Sequence, residues 1–395
     1  MQSLYKNLLA AGLSIALVTA CSSNDVEEEL VSELVEIDAK IFPEVSWSES
    51  LGDGVEDYYS RLKPVVRYGK IFAADRSGEV AAFDEASGET VWTKDFADEF
   101  GDSLLSKSKG VRLAAGVVAA RNKVFVGGES GLLVALNADD GATIWSVVAG
   151  GELLSAPTVA EDVVVVNTSK GTFEAYNIDD GTRLWSYEMQ LPKLTLRGTS
   201  SASYEAGGFF LGTADGKIAV VVKKNGQAAW EQPIYAPTGG NEFTRMADVD
   251  MTPLISGDNL YAVSYNGNLV SMEMRSGRTI WTRKYSSFNE LASAGLSLYL
   301  VDDRSRVYAV DKRNGLELWS NSTLKNRELT SPAVVGEYVI VGDLEGYLHF
   351  ISRDTGEVVG RVQVDSDGLF SQPEVVDGKI YVQGRSGMIA QVILP

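Results

Sequence analysis

The residues that most often carry enzyme chemistry are scarce in this chain. It has one histidine, His349, and one cysteine, Cys21, among 395 residues. His349 lies in the strand-like run Tyr347–Phe350, where half-buried packing is a simpler expectation than action as a general base. No G-x-S-x-G motif accompanies it, so a Ser-His-Asp or Cys-His centre would depend on this single imidazole. We therefore predict no catalytic site.

Paired acids and paired glycines raise the question of metal or phosphate binding. The pairs Asp139-Asp140, Asp179-Asp180 and Asp302-Asp303 lie at or near predicted turns, where aspartate hydrogen-bonds the backbone. Glycine pairs such as Gly127-Gly128 lack the strand and helix context of a phosphate-binding loop. No EF-hand loop is present, although calcium ligation by carboxylates alone stays open. We predict no metal site and no cofactor.

The overall charge argues against one class of partner. The chain has 54 acidic and 35 basic residues and a formal net charge of −19. No basic stripe is available to replace the counterions on phosphate groups. We therefore exclude nucleic acid as a partner.

The amino-terminal residues have the pattern of an export signal. Residues 1–20 carry an apolar core from Leu8 to Val18 and small residues before Cys21. This stretch is too short to span a membrane as a helix. The segment Leu17–Cys21 resembles the lipobox of bacterial lipoproteins, which implies that Cys21 becomes an acylated first residue. Because Ser22 rather than an aspartate follows, the resemblance implies the periplasmic face of the outer membrane in a Gram-negative cell.

An acidic segment follows the cysteine. The run 22–39 is rich in glutamate and lacks the alternation of a strand. We predict a lipidated, solvated tether over residues 21–43. A partner-binding helix is the alternative for the same residues. The folded domain is predicted from residue 44 to residue 395.

The rest of the chain repeats one unit of four short strands. In Pro253–Trp281, runs of alternating apolar and polar residues are separated by turns, and proline precedes tryptophan by 28 residues. The same spacing from Pro332 leads to Gly360, where the tryptophan is missing. A glycine recurs four residues before the end position of each unit: Gly88, Gly141, Gly181, Gly226, Gly277, Gly315 and Gly356. We expect positive φ at this glycine and a tryptophan that fills the space between neighbouring sheets.

Such repeats predict an all-β fold, an eight-bladed β-propeller of four-stranded antiparallel blades. Seven full units are predicted at about 62–96, 113–149, 155–189, 201–234, 251–285, 291–322 and 331–364. Residues 373–394 supply three more strands, and residues 44–51 supply one strand, which contains Trp47. We predict that these fragments form the eighth blade and close the ring, so that no sheet edge is left open.

The loops between blades carry residues that a spacer does not need. Each such loop runs from the outermost strand of one blade to the innermost strand of the next, so all of them emerge on one face. The loop before blade 4 places Leu194 and Leu196 around Arg197, and the loop after it carries Asp248 and Asp250. Apolar side chains around an arginine, with acids alongside, are typical of an interface hot spot. The local alternative is that Arg197 pairs with Asp248 or Asp250 and ties two blades together.

Several motifs carry a family resemblance. The units resemble the PQQ-like repeats of quinoprotein dehydrogenases, and the chain from the lipobox onward resembles the BamB family of outer-membrane protein assembly lipoproteins. The distinctive stretches are Leu194–Gly198, Asp248–Pro253, Tyr265–Leu269 and Gly342–His349. Gly360 departs from the family pattern because it replaces a docking tryptophan. The resemblance implies contacts with periplasmic domains of BamA, the central barrel protein, through five residues: Leu194, Leu196, Arg197, Asp248 and Asp250.

Three functions follow from these patterns. The first is a non-enzymatic scaffold of the β-barrel assembly machinery that docks on BamA beside other subunits and assists insertion of outer-membrane proteins. Unfolded clients could pair with blade edges. The second is a quinone-cofactor dehydrogenase, which would require calcium ligands and, in much of that family, a vicinal disulfide that one cysteine cannot form. The third is an envelope lipoprotein that binds another protein or a glycan through the same face.

Overall fold

Alternating apolar residues and tight glycine turns fold the chain into short antiparallel strands. The computed structural model describes residues 30–394, apart from 56, 57, 59, 97–110, 237–239 and 242–244. The predicted signal segment 1–20 and Cys21 lie outside the described residues. No helix in the described part of the chain is both long enough and apolar enough to cross a membrane.

In these residues, 32 strands form eight four-stranded sheets, which are the blades of a propeller. Blade 1 contains β2 (Val65–Arg67), β3 (Lys70–Ala74), β4 (Glu79–Asp84) and β5 (Thr90–Asp95). Blade 2 contains β6 (Leu113–Ala120), β7 (Lys123–Gly128), β8 (Leu132–Asn137) and β9 (Thr143–Val148). Blade 3 contains β10 (Thr158–Ala160), β11 (Val163–Asn167), β12 (Thr172–Asn177) and β13 (Arg183–Glu188). Blade 4 contains β14 (Ser203–Glu205), β15 (Gly208–Gly212), β16 (Lys217–Val222) and β17 (Ala228–Pro233). Blade 5 contains β18 (Leu254–Ser256), β19 (Asn259–Val263), β20 (Asn268–Glu273) and β21 (Thr279–Lys284). Blade 6 contains β22 (Ala292–Ala294), β23 (Ser297–Val301), β24 (Val307–Asp311) and β25 (Glu317–Asn321). Blade 7 contains β26 (Ala333–Val335), β27 (Tyr338–Gly342), β28 (Tyr347–Ser352) and β29 (Val358–Gln363), and blade 8 contains β1 (Glu44–Ser50), β30 (Glu374–Val376), β31 (Lys379–Gln383) and β32 (Met388–Ile393).

The eighth blade joins the two ends of the propeller. Its strand order is β1-β32-β31-β30, so the first strand of the chain is the outermost strand beside the last three. The antiparallel register pairs Glu44 with Ile393 and Ser50 with Met388. The predicted all-β, eight-bladed propeller with an amino-terminal closing strand is therefore confirmed.

The apolar core lies in layers between neighbouring blades. Phe72 and Ala82 of blade 1, for example, share a buried cluster with Val124 and Leu136 of blade 2. The middle strands of each blade are buried on both faces, because a neighbouring sheet covers each of them. The outermost strands alternate between exposed and covered residues, as expected for strands that face solvent on one side.

The repeated glycine and tryptophan meet across each blade boundary. All seven predicted glycines have φ between 69° and 79°. A Cβ atom on Gly141 would lie 2.7 Å from the ring of Trp92, and one on Gly181 would lie 2.8 Å from the ring of Trp145. The indole N–H of Trp145 also donates to the Ile178 carbonyl oxygen at 3.0 Å. Glycine is therefore required both by the backbone conformation and by the indole that packs against it.

The missing tryptophan at Gly360 has a structural explanation. Blade 8 takes its outermost strand from the amino terminus, so it has no connecting turn on which an indole of blade 7 could pack. Ile41, three residues before β1, packs against Gly360 instead, and a Cβ there would lie 2.6 Å from Ile41 Cγ1. The exception in the repeat thus falls at the boundary where the chain closes its ring.

The segment that precedes β1 contacts blade 7. The backbone N–H groups of Lys40 and Ile41 donate to the Val359 carbonyl oxygen at 2.8 and 3.3 Å. The buried Arg327 guanidinium donates to the Ser32 carbonyl oxygen at 2.7 Å. The predicted tether over 21–43 remains a prediction for its first residues, whereas the part from Ser32 onward lies against the propeller.

Candidate functional site

The two loops that flank blade 4 lie side by side, as the blade order predicts. We refer to Leu191–Gly198 as the docking loop. The backbone N–H of Leu196 donates to Asp248 Oδ1 at 3.0 Å, so the acidic loop holds the docking loop by its main chain. The carboxylate of Asp250 lies under Gly198, where a Cβ would be only 2.4 Å from Asp250 Oδ2. Of the five residues that the sequence singled out, these contacts bring Leu196, Asp248 and Asp250 together, and Leu194 and Arg197 lie in the same loop as Leu196.

The two aspartates are buried beneath the loop. Asp248 is 0% exposed and Asp250 is 6% exposed. Burial raises the pKa of Asp248 to about 7, and the neighbouring charge of Asp250 adds to the rise. Burial also raises the pKa of Asp250, although the Arg61 guanidinium opposes this. Both acids therefore support the loop from below.

Arg61 reaches these acids from the far side of the ring. It lies in the connection between blade 8 and blade 1, and its Nη1 donates to the Asp250 carbonyl oxygen at 2.7 Å. The same nitrogen donates to Glu290 Oε1 at 3.2 Å. Arg61 and Glu290 both line a central cavity of about 820 Å³. The acidic loop is thus fixed to the axis of the propeller, which the sequence did not reveal.

Arg197 pairs with a residue that the sequence did not single out. Its Nη2 lies 2.9 Å from Glu129 Oε1, and Arg76 Nη2 lies at the same distance from that oxygen. Glu129 and Arg76 lie in the turns between the middle strands of blades 2 and 1. The local alternative, in which Arg197 pairs with Asp248 or Asp250, is not what the structure shows. The signal that could have found Glu129 is its turn, which faces the same side as the inter-blade loops.

The docking loop presents apolar and cationic surface outward. The Arg197 side chain is 53% exposed despite its ion pair. Leu191 is 48% exposed, while Leu194 and Leu196 are half-buried. A held main chain with outward leucine and arginine side chains is compatible with the predicted interface hot spot, which stays a prediction.

The only histidine lies elsewhere and is more buried than predicted. His349 is fully buried in β28 instead of half-buried, and its Nε2 lies 2.8 Å from Asp343 Oδ2. Arg327 Nε donates to the same oxygen at 2.8 Å. Burial lowers the pKa of His349. Burial alone would raise the pKa of Asp343, but hydrogen bonds from His349, the Tyr347 backbone and Arg327 hold it below its usual value. No serine, threonine or cysteine side chain bonds this imidazole in the described residues, so the cluster is an ion network within the fold.

Metal-binding clusters can be assessed for the described part of the chain. In those residues, no group of three or more His, Cys, Asp or Glu side chains is arranged to hold a metal ion. The acidic pair Asp139-Asp140 bonds turn and strand groups: Asp139 accepts from Lys70 and Asn122, and Asp140 accepts from the Ala142 backbone.

Comparisons with known proteins place the chain in a family. The family model described as "Outer membrane protein assembly factor BamB" matches residues 76–321 and 304–392. The outer membrane protein assembly factor BamB of Shewanella oneidensis is 76% identical over 395 residues, which is 100% of both chains. The crystal structure of BamB from Moraxella catarrhalis matches with a TM-score of 0.80 and 26% identity, over 89% of this chain and 99% of that one.

A dehydrogenase shares the architecture at a greater distance. The quinohemoprotein alcohol dehydrogenase from Comamonas testosteroni matches with a TM-score of 0.69 and 15% identity. The match covers 92% of this chain and 78% of that one. Identity at this level shows a common fold and carries no activity across.

Proposed function

The chain belongs to the BamB family of outer membrane protein assembly factors, and from that membership we propose a specific role for it. It is a non-enzymatic scaffold of the β-barrel assembly machinery that docks on periplasmic domains of BamA. The family places it with the other subunits of that machinery at the outer membrane of a Gram-negative cell. A lipid anchor on Cys21, facing the periplasm, completes the proposal.

One observation supports the docking role most directly. The docking loop is held in place from below by Asp248 and from the side by Glu129, yet Arg197 and Leu191 remain exposed. A loop that is already ordered loses little conformational entropy when a partner binds. Leucine and arginine on such a loop can therefore contribute most of their contact energy to affinity.

The buried ion network around His349 supports a non-enzymatic role. The sole imidazole is held by Asp343 at 2.8 Å inside the sheet, out of reach of a substrate. The dehydrogenase alternative is weaker, because its support is a fold shared at 15% identity. Addition of pyrroloquinoline quinone and calcium should give no bound chromophore and no alcohol oxidation.

The docking role is tested by capture of purified BamA periplasmic domains. Changing Leu194 and Arg197 together to alanine should weaken capture by about 2 kcal/mol or more, or roughly thirtyfold in Kd. The melting temperature should stay close to that of the wild type, because neither side chain is fully buried. Arg275→Ala is the matched control, since this exposed arginine lies in the β20–β21 turn on the opposite face.

Two results would contradict the docking role. If the double variant captures BamA as well as the wild type does, the docking loop is not the interface. If it loses stability while binding is unaltered, Leu194 and Arg197 act only inside the fold.

A further inference from the structure

A second, smaller cavity lies directly beneath the docking loop. It has a volume of about 270 Å³ and lies between blades 3 and 4. Its lining includes Thr195 of the loop, Asn167 at the end of β11, and Asp250. The exposed side chains of Leu191 and Arg197 also line it, so the cavity reaches solvent beside the docking loop. We refer to it as the subloop cavity.

Two acceptor groups in the subloop cavity lack donors within the described residues. Asn167 is 6% exposed, its Nδ2 donates to the Ser200 carbonyl oxygen at 3.1 Å, and its Oδ1 has no hydrogen-bond partner. The carboxylate of Asp250 receives no hydrogen bond, because Arg61 donates to the backbone oxygen of that residue instead. The buried Asn167 Oδ1 lacks a donor, and a buried acceptor without one costs free energy. The Asp250 carboxylate faces the same cavity and is free to accept from what fills it.

Three neighbouring hydroxyl groups donate to other acceptors. Thr199 Oγ1 donates to Ser155 Oγ at 2.9 Å. Ser200 Oγ donates to the Met251 carbonyl oxygen at 2.7 Å, and Thr213 Oγ1 donates to Asp215 Oδ1 at 2.5 Å. These protons point to other acceptors. A donor for Asn167 Oδ1 and for the Asp250 carboxylate therefore comes from what fills the cavity, either water or a guest.

The chemistry of the acceptors defines this guest. A carboxylate and an amide oxygen in one pocket favour a group that carries several N–H donors and a positive charge. We propose that the subloop cavity receives the end of a lysine or arginine side chain of the BamA periplasmic domains. This inference rests on the proposed function and deepens it, because it names the side-chain class that the docking partner inserts.

Burial of the Asp250 carboxylate lowers the stability of its charged form, and this is consistent with a binding role. Because burial raises its pKa, the ionised form is less favourable in the folded protein than in water. An acid kept only for stability would instead be paired within the fold. Asp250→Asn keeps the shape of the side chain and removes the charge, so it should leave the melting temperature unchanged or raise it.

Small cationic probes test the cavity without the partner. The protein is titrated with ethylguanidinium chloride and with n-butylammonium chloride, and the amide NMR signals of Leu196–Thr199 are followed. We expect saturable shifts, with affinity reduced about tenfold or more in Asp250→Asn, which loses a charge-assisted hydrogen bond. Asp140→Asn, an exposed turn aspartate, should bind like the wild type. Thr195→Leu should also weaken binding, since it narrows the cavity with Asp250 intact.

The control salts exclude other occupants. Tetramethylammonium has a positive charge but no N–H donor, and calcium chloride tests a metal ion. Equal shifts with tetramethylammonium, or shifts with calcium alone, would overturn the inference. An absence of any saturable shift would mean that the cavity holds only water, and this too would overturn it.

Capture of the BamA domains separates this inference from the proposed function. Ethylguanidinium should compete with capture by the wild type, and Asp250→Asn should capture more weakly. If the wild type captures BamA while neither change has an effect, the inference fails and the docking role stands. If the wild type does not capture BamA, the docking role fails and the assignment of the guest to BamA fails with it.

Discussion

Two regions on one face of the propeller each bury a carboxylate, but they differ in the hydrogen bonds that this carboxylate accepts. In blade 7, Asp343 accepts hydrogen bonds from the backbone of Glu345 and Tyr347 and from the side chains of Arg327 and His349. Beneath the docking loop, Asp250 accepts none on its carboxylate within the described residues. The pKa of Asp343 is held below its usual value, whereas that of Asp250 is raised.

The contrast shows which charges serve the fold. A buried ion with all its partners can be stabilising, or at least neutral, because the hydrogen bonds offset the loss of water. A buried carboxylate that accepts no hydrogen bond is stabilised less well, even with a guanidinium nearby, and its retention is consistent with another role. By this criterion we assign blade 7 as a structural region and propose the docking loop with the acids beneath it as a binding region.

The largest effect is expected in the structural region. Arg327→Met should lower the free energy of unfolding by about 3–5 kcal/mol, because it removes one partner of a buried ion pair and leaves Asp343 with an uncompensated charge. Chemical denaturation measures this change. The control is Arg313→Met, since that arginine is exposed and pairs with Asp311 inside a turn, where we expect little change in the free energy of unfolding. Similar losses in the two variants would remove the distinction between buried and surface pairs.

For Asp248→Asn we expect a smaller change in the free energy of unfolding, and this change is an increase. The folded pKa of Asp248, about 7, lies above the ordinary value of 3.8, so its contribution to stability is complete below pH 4 and is lost as pH rises through 7. Asp248→Asn keeps the oxygen that accepts from Leu196 and should remove this loss. Relative to the wild type, the variant should gain on the order of 2–4 kcal/mol between pH 4 and pH 8.

The measurement is the free energy of unfolding at several pH values, with Asp140→Asn as the exposed control. Parallel curves for the wild type and Asp248→Asn would mean that the buried acid is stabilised by groups other than those described. The two regions would then no longer differ in how well they stabilise a buried carboxylate.

The smallest effect is expected at the edge of the binding region. Glu129→Gln removes the charge that pairs with Arg197 and Arg76, and the pairs are partly exposed. We expect a loss of less than about 1 kcal/mol in stability and a similar weakening of BamA capture, with less sensitivity to salt than in the wild type. Glu188→Gln, at an exposed position of β13, is the control. A large loss of stability would place Glu129 in the structural region instead.

The sequence predicted the features that depend on short stretches of chain. The turn glycines and the tryptophans recur at fixed spacing, so blade order, blade number and the side of the inter-blade loops could all be derived from them. The adjacency of the docking loop and Asp248 followed from the same order. Each of these features repeats a local pattern whose physical cause is the same in every blade.

Contacts between distant stretches could not be predicted in this way. The pairing of Arg197 with Glu129 depends on the packing of three blades, and the hydrogen bond from Arg61 to Asp250 crosses the ring. Burial of Asp248 and Asp250 was equally hidden, because a loop acid is normally solvated. Ile41 filling the space beside Gly360 depends on the closure of the ring, which no local pattern encodes.

The closing pair of strands also sets the order in which the molecule can form. β1 is made first and β32 last, and they are neighbours only in the finished ring. Seven blades can form from chain that is continuous in sequence, but β1 must wait unpaired until the final residues are available. Such distant pairing is slow, because a very long loop must close before any contact compensates for it. The rate-limiting step of folding should therefore be the pairing of β32, in the carboxyl-terminal hairpin, with β1.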